Sequence, residues 1–353
     1  MQRRATCMID CVFTLDYEIY GNGTGALTDL VYEPARRLRG VFQAHHARFV
    51  VFVEAAELER IETCGTDRAI DLVKRQVRQF YDEGFEIALH LHPQWCNARY
   101  DRRRWFLDYS EYNLCTLPRA RIREIVSRSI EYLRHLLANP DFTPLAFRAG
   151  NWLFQPTEAA ADVLAGSGMR IDSSVFKGGL QRVHKLDYRR ALRNGYYWSF
   201  GRDVNESEAD GAWIEIPVYT EMVPFWRMLT SKRIGLQTRG GSAGPQERRR
   251  RRSILDFLRF RYPLKLDFCR MTLNELTSVM GRIIQEDRNE PALYRPVVAI
   301  GHTKDLVDLH TVESFLAFLH THAISVSTFA DIYPTLRKEI DRGAPESRRS
   351  QES

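Results

Sequence analysis

Two short stretches set side chains that move protons beside side chains that hold metals: "TLDYE" at 14–18 and "ALHLHP" at 88–93. In an extended strand successive side chains leave on opposite faces, so Asp16 and Glu18 project together while Tyr17 points away, and His90 and His92 project together across Leu91. Two carboxylates and two imidazoles that converge on one centre are the donor set of a metal hydrolase. Arg148 in "FRAGNW", Asp172 in "MRIDSS" and His302 in "AIGHTKD" likewise stand at the ends of apolar runs, and Trp152 closes the first of these. Taken singly, each has a plain structural use: a strand-end acid as a helix cap, a histidine as a satisfied core group, Arg148 as an ion-pair partner. The His-x-His pair is more particular, because nothing structural calls for two imidazoles on one face of a buried strand.

The elements that must position these residues alternate along the chain. Strand patterns at 7–15, 47–53, 85–91, 144–147, 169–174, 212–218 and 296–302 are interleaved with helical periodicity at 32–46, 67–84, 119–138, 156–166, 272–287 and 311–322. Such βα alternation predicts a largely parallel sheet, covered on both faces or closed into a barrel, with ligands at the carboxyl ends of its strands. The 353 residues, 44% of them apolar, suffice for one large domain over 1–340, followed by a disordered tail at 341–353. The alternation lapses at about 220–270, where "LQTRGGSAGPQERRRRRS" reads as a mobile insertion.

The formal charge of +6 is gathered in two arginine runs, at 102–104 and 248–252, which describes local patches and no nucleic-acid surface. Behind the second run, Ile254, Leu255 and Leu258 form an apolar stripe, a basic amphipathic pattern suited to an anionic membrane surface through 248–258, or else to a solvated loop. Six cysteines show no CxxC spacing, and Cys7 and Cys11 on one strand stand ~13 Å apart, so reduced thiols are expected. The amino terminus lacks the apolar core of a signal peptide and no apolar run could span a bilayer, which predicts an intracellular, cytoplasmic protein.

Taken together and in order, "FTLDYE" (13–18), "GFEIALHLHP" (84–93), "FRAGNW" (147–152), "IDSSVF" (171–176), "IEIPV" (214–218) and "AIGHTKD" (299–305) resemble the motifs of polysaccharide deacetylases, the NodB-homology superfamily or carbohydrate esterase family 4. The resemblance covers roughly residues 8–335, and "ARFVVFVEAAEL" (47–58) is similar to the family's second strand. It implies an α/β fold, a distorted (β/α) barrel of about seven strands, and a divalent metal, commonly Zn2+, held by one carboxylate and two histidines. By the same likeness Glu18, His90 and His92 are the ligands, Asp16 the general base, Arg148 the residue that orients it, and His302 the general acid. Trp152 and Asp172 match positions that stack on a sugar ring and bond its hydroxyls. Asp305 either orients His302 or caps the next helix.

Two departures from the family pattern stand out. Its first motif has adjacent acids where this chain has Asp16-Tyr17, so that either Glu18 or Asp16 could be the carboxylate ligand, and its second motif separates the histidines by three residues where this chain has Leu91 alone. The expected function is removal of an N-acetyl group from an amino sugar in a polysaccharide or glycolipid intermediate. An amidase on a small non-sugar amide and a catalytically silent carbohydrate-binding scaffold are the alternatives.

Overall fold

The computed structural model describes residues 8–192, 195–239 and 261–342. Its centre is a curled sheet built from β1 (Ile9–Tyr17), β2 (Val50–Glu54), β3 (Glu86–Leu91), β4 (Ala146–Ala149), β5 (Ile171–Asp172), β6 (Trp198–Phe200), β7 (Trp213–Glu215), β8 (Arg295–His302) and β9 (Ser325–Val326). The spatial order is β6-β7-β5-β4-β3-β2-β1-β8, with β9 also on β1. From β7 to β8 seven strands follow one another in parallel ladders, and only β6 runs antiparallel to its neighbour. Single bridges Phe176–Val218 and Val218–Val298 draw the two ends of the series together, giving a distorted barrel.

Side-chain parity sorts the barrel into an inside and an outside. Val12, Val50, Phe52, Ala88, Ala146, Ile171, Ile214, Val298 and Ile300 fill one apolar cluster, and Phe329, Ile332 and Leu336 of a closing helix pack against them. The alternate residues, among them Phe13, Leu15, Val51, Val53 and Phe147, join the larger cluster beneath the surrounding helices. These strands are therefore apolar on both faces, which is why they read as continuous runs in the sequence.

The helices are α1 (Glu33–Ala44), α2 (Ala55–Cys64), α3 (Ile70–Asp82), α4 (Arg119–Leu137), α5 (Glu158–Gly166), α6 (Ser231–Arg239), α7 (Leu273–Asn289), α8 (Leu309–Thr321) and α9 (Phe329–Asp341). Three of them escape the sequence pattern: α2, α9 and, within the expected mobile insertion, α6. The start of α2 follows β2 with no loop, because the Glu54 side chain accepts from Glu57 N and caps the helix from the last strand residue. Helix α9 carries Pro334 in its interior, a helix-breaking signal outweighed by its Thr328–Asp331 capping box and its apolar face on the barrel floor. Only Ile171 and Asp172 of the expected 169–174 strand make ladder bonds.

The flanks of the expected mobile insertion are ordered: 220–223 pairs antiparallel with 262–265, and α6 lies between them. The basic stretch 248–258, the terminal residues 343–353 and Cys7 lie outside the described residues. The other five cysteines are unpaired, as expected. Among the described residues no helix is long and apolar enough to cross a membrane.

Phe13 is fully buried, its ring centroid 5.1 Å from Phe42, 5.3 Å from Phe268 and 5.8 Å from Phe315. Phe13→Ala should lower the unfolding free energy by about 3–5 kcal/mol, read from the denaturant midpoint.

Candidate active site

Polar residues enter the barrel at its carboxyl end by the parity that buries the aliphatic ones below. Asp16 and Glu18 continue Val12 and Thr14 of β1, His90 and His92 continue Ala88 of β3, Arg148 follows Ala146 in β4, and His302 follows Ile300 in β8. Tyr17 points the other way, into the outer core, where its hydroxyl donates to Gln76 Oε1 at 2.6 Å. Register then sets neighbours side by side: Asp16 lies opposite His302 and Phe52, and His90 opposite Arg148 and Glu54.

Arg148 is 0% exposed and every nitrogen of its guanidinium is used. Nη1 donates to Asp16 Oδ1 at 2.5 Å, Nε to the Ser173 carbonyl at 2.9 Å, and Nη2 to Thr14 Oγ1 at 3.0 Å and Ser173 Oγ at 3.1 Å. The plane stacks on Phe52, 4.0 Å from the ring centroid. Such a clamp fixes the Asp16 carboxylate in place. Burial alone would raise the pKa of Asp16, but Arg148, His90 and His302 together bring it below the ordinary carboxylate value. The other oxygen, Oδ2, lies 3.5 Å from His302 Nε2.

Glu18 gathers a second set. Its Oε2 stands 3.0 Å from His92 Nε2 and 3.6 Å from His90 Nε2, while Oε1 takes a 2.7 Å bond from Lys304 Nζ. Ligand atoms of Glu18, His90 and His92 lie within 4.8 Å of one another, as do those of Asp16, Glu18 and His302. Four donors placed tetrahedrally at ~2.1 Å from one ion are separated by about 3.4 Å, which the first set approaches. His90 Nδ1 faces the Arg148 carbonyl at 2.9 Å, a bond that makes Nδ1 the protonated nitrogen and leaves the Nε2 lone pair toward Glu18.

At His92 Nδ1 two amides meet, Gln94 Nε2 at 3.1 Å and Asn151 Nδ2 at 3.2 Å, while Gln94 Oε1 is buried without a partner. Half a turn of both amides sets carbonyl oxygens on Nδ1–H and frees Nε2. The residues present thus fit a divalent metal, and the one-residue spacer delivers both imidazoles to one side, their centroids 4.8 Å apart. Gly150 leaves room for them: a Cβ there would stand 2.7 Å from His92 Cγ.

No family model matches the chain, and no curated protein matches it. Among solved structures it is similar to a protein assigned as a polysaccharide deacetylase from Mycobacterium smegmatis, with TM-score 0.53 and 14% identity over 98% of this chain and 94% of that one. A second, from Pseudomonas aeruginosa and assigned likewise, gives TM-score 0.50 and 13% identity over 94% and 92%. The fold is that of the polysaccharide deacetylases. The distorted barrel of about seven strands expected from the motifs is the one observed.

Within this polysaccharide deacetylase fold the remaining expected residues divide. His302 is at the mouth, its side chain 16% exposed, with burial holding its pKa below the usual histidine value. Its Nδ1 has no hydrogen-bond partner among the described residues; Asp305, 4.0 Å away, is engaged by Arg270 at 2.6 Å. Trp152 is half-buried at the same rim, on a backbone with φ of 67° after Asn151 at 55°. Asp172 does not line the site. Ile171 faces the barrel interior, so Asp172 faces outward, 0% exposed, bonded to Ser174 Oγ at 2.6 Å and hydrogen-bonded to Glu215. Burial raises the pKa of both acids, and the pair buttresses Ser174, whose Oγ accepts from Ala149 N at 2.8 Å beside Arg148.

Sequence reasoning passed over Lys304, Lys265, Glu54 and Glu57. Lys304 sits two residues beyond His302, and lysine is so common on surfaces that it carries no signal of its own. Glu54 shares the interior parity of Phe52; its Oε1 accepts from His92 N at 2.8 Å, and Glu57 Oε1 accepts from Ile19 N at 2.8 Å. Glu54 is 0% and Glu57 1% exposed. Burial, reinforced by Glu18, pushes the Glu57 carboxyl up to about 8. A raised carboxyl keeps its proton in the folded state after the unfolded chain has lost it, so its contribution is full below the unfolded value of 4.5 and is lost as pH rises toward about 8. Glu57→Gln, which keeps the acceptor and removes the titration, should flatten that decline when thermal midpoints are followed across this range.

Proposed function

We propose that the protein is a metal-dependent hydrolase of amide bonds that removes the N-acetyl group of an amino sugar in a polysaccharide or glycolipid biosynthetic intermediate. The observation that carries this reading is the juxtaposition of two sets at one barrel mouth: Glu18, His90 and His92 around one point, and Asp16, clamped by Arg148, beside His302. The shared fold and the placement of the motif residues support it.

Glu18, His90 and His92 would hold the metal, and one carboxylate with two imidazoles suits Zn2+. Three protein ligands leave a position open, and the bound ion supplies Lewis acidity and a water of lowered pKa. Asp16, ionised at neutral pH, is the base that takes the proton from the attacking water. Arg148 keeps its carboxylate turned to the site. His302 is neutral in the resting site, so the proton it delivers to the departing amine is the one that left the water, passed on from Asp16 Oδ2. Atoms balance: water gains the acyl carbon, the C–N bond breaks, and acetate and a free amine leave.

Acetate release from chitooligosaccharides by the zinc-loaded protein tests this. Asp16→Asn and His302→Ala should each lose ~10²–10⁴-fold in kcat with zinc still bound, whereas Glu18→Gln should lose zinc and turnover together. The acid limb of the wild-type kcat/KM profile should lie below pH 6.5, where the lowered His302 pKa places it. Full turnover in Asp16→Asn would remove the base role. Failure of the zinc-loaded wild type to release acetate from any N-acetylated glycan would remove the reading.

A further inference from the structure

Lys265, at the end of the 262–265 strand, reaches the active-site rim and stands against Trp152 and Phe176, with Nζ 4.3 Å from the first ring centroid and 4.5 Å from the second. The two rings meet edge to face at 5.4 Å, and the Arg148 guanidinium lies 5.8 Å from the Trp152 ring centroid. The Trp152 ring is thus covered by cations, and what it presents to a sugar is an ammonium in place of a bare aromatic plane.

The ammonium has no hydrogen bond and no ion pair with any described residue, and its Nζ is not among the fully enclosed atoms. Its position is set by backbone bonding: Leu266 N donates to the Tyr219 carbonyl at 2.7 Å, and Ile300 N to the Leu266 carbonyl at 2.8 Å, which ties the residue after Lys265 to the strand that carries His302. The nearest charges felt by Lys265 are Asp267 and Asp16, which favour the ammonium, and Arg270 and Arg148, which oppose it. Asp267 and Asp16 are engaged elsewhere, by the backbone of Cys269 and Arg270 and by Arg148. Burial pushes the Lys265 pKa down to about 8, so that a cation kept here at neutral pH is under-compensated and gains from an anion brought by the ligand.

We propose that Lys265 is a substrate-binding residue that selects acidic amino sugars: those that carry a carboxylate or a phosphate on the same sugar unit as the N-acetyl group that is cleaved. This rests on the deacetylase reading for the reaction but not for the binding preference. The anion takes the place of the acceptor that the protein withholds from Lys265, whose ammonium is held toward it by the Trp152 and Phe176 rings.

A second cavity points to the same ligand class. Beyond Glu18, Ile19 opens into a cleft of about 1050 Å³ lined by Tyr100, Trp105 and Phe106, with Arg103 and Arg104 on its wall. Neither arginine makes an ion pair with a described residue, and Arg103, with φ of 63°, is held in a backbone conformation that side chains rarely adopt. Aromatic faces with unpaired guanidinium groups suit further units of an acidic glycan.

The test measures affinity and turnover separately, with methyl N-acetylglucosaminide, its 6-carboxylate (uronic acid) analogue and its 6-phosphate as probes. The wild type should bind one of the two anionic probes at least ~10-fold more tightly than the neutral one, and which of the two decides between carboxylate and phosphate. Lys265→Met should abolish that preference, bringing the anionic probes down to the affinity of the neutral one in the same variant, and Lys265→Arg should restore it. The kcat/KM values should follow the same order through KM, which a purely structural lysine would not produce. Equal or better binding of the neutral probe, or a preference that survives in Lys265→Met, would overturn the inference while leaving the deacetylase reading intact. An anionic preference without any acetate release would sustain it while the deacetylase reading fails.

Discussion

A carboxylate withdrawn from water has to meet positive charge or take up a proton, and the whole barrel mouth is arranged by which acid meets which. Asp16 and Glu18 are 3% and 4% exposed and both remain ionised, because Arg148 is built against the first and Lys304 and two imidazoles against the second. Glu54 and Glu57, in the same cluster, have only backbone N–H groups and a distant ammonium, and burial drives them toward the protonated form. One pair of acids is thereby kept charged, and the other is kept near neutral as acceptors that pin the backbone of His92 and Ile19.

The same division explains how the outer elements matter to the site. Arg148 can orient Asp16 only because Ser173, Thr14 and Phe52 use up its remaining surface, and β4 is held in place by Ser174 and the buried Asp172–Glu215 pair on the far side of the sheet. The cost of burying those two acids falls on the sheet exterior, away from the barrel mouth. Close packing continues to the two imidazoles: Gly150 is there because any side chain would press on the His92 ring.

Parity made most of this legible in the sequence. Alternation alone put Asp16 with Glu18, and His90 with His92, and the structure brings all four to one mouth, together with Arg148 and His302. The likeness of motif misleads at Asp172, because the run "MRIDSS" offers no fixed point from which to count parity; with Ile171 inside, Asp172 must be outside. Lys265 and Lys304 were invisible for a different reason. Each reaches the site from a segment with no periodicity of its own, and a lysine becomes informative only when its partners in space are known. The helix that follows β2 without a loop was hidden because Glu54 serves as strand end, cap and site residue at once.

Whether the mouth is a metal site is the claim on which the account turns, and zinc anomalous scattering from crystals of the protein grown with zinc addresses it most directly. The account predicts one anomalous peak per chain, about 2.0–2.2 Å from Glu18 Oε2, His90 Nε2 and His92 Nε2, with Lys304 still on Glu18 Oε1. No peak there, or zinc bound elsewhere while Lys304 and the two imidazoles keep Glu18 to themselves, would contradict it.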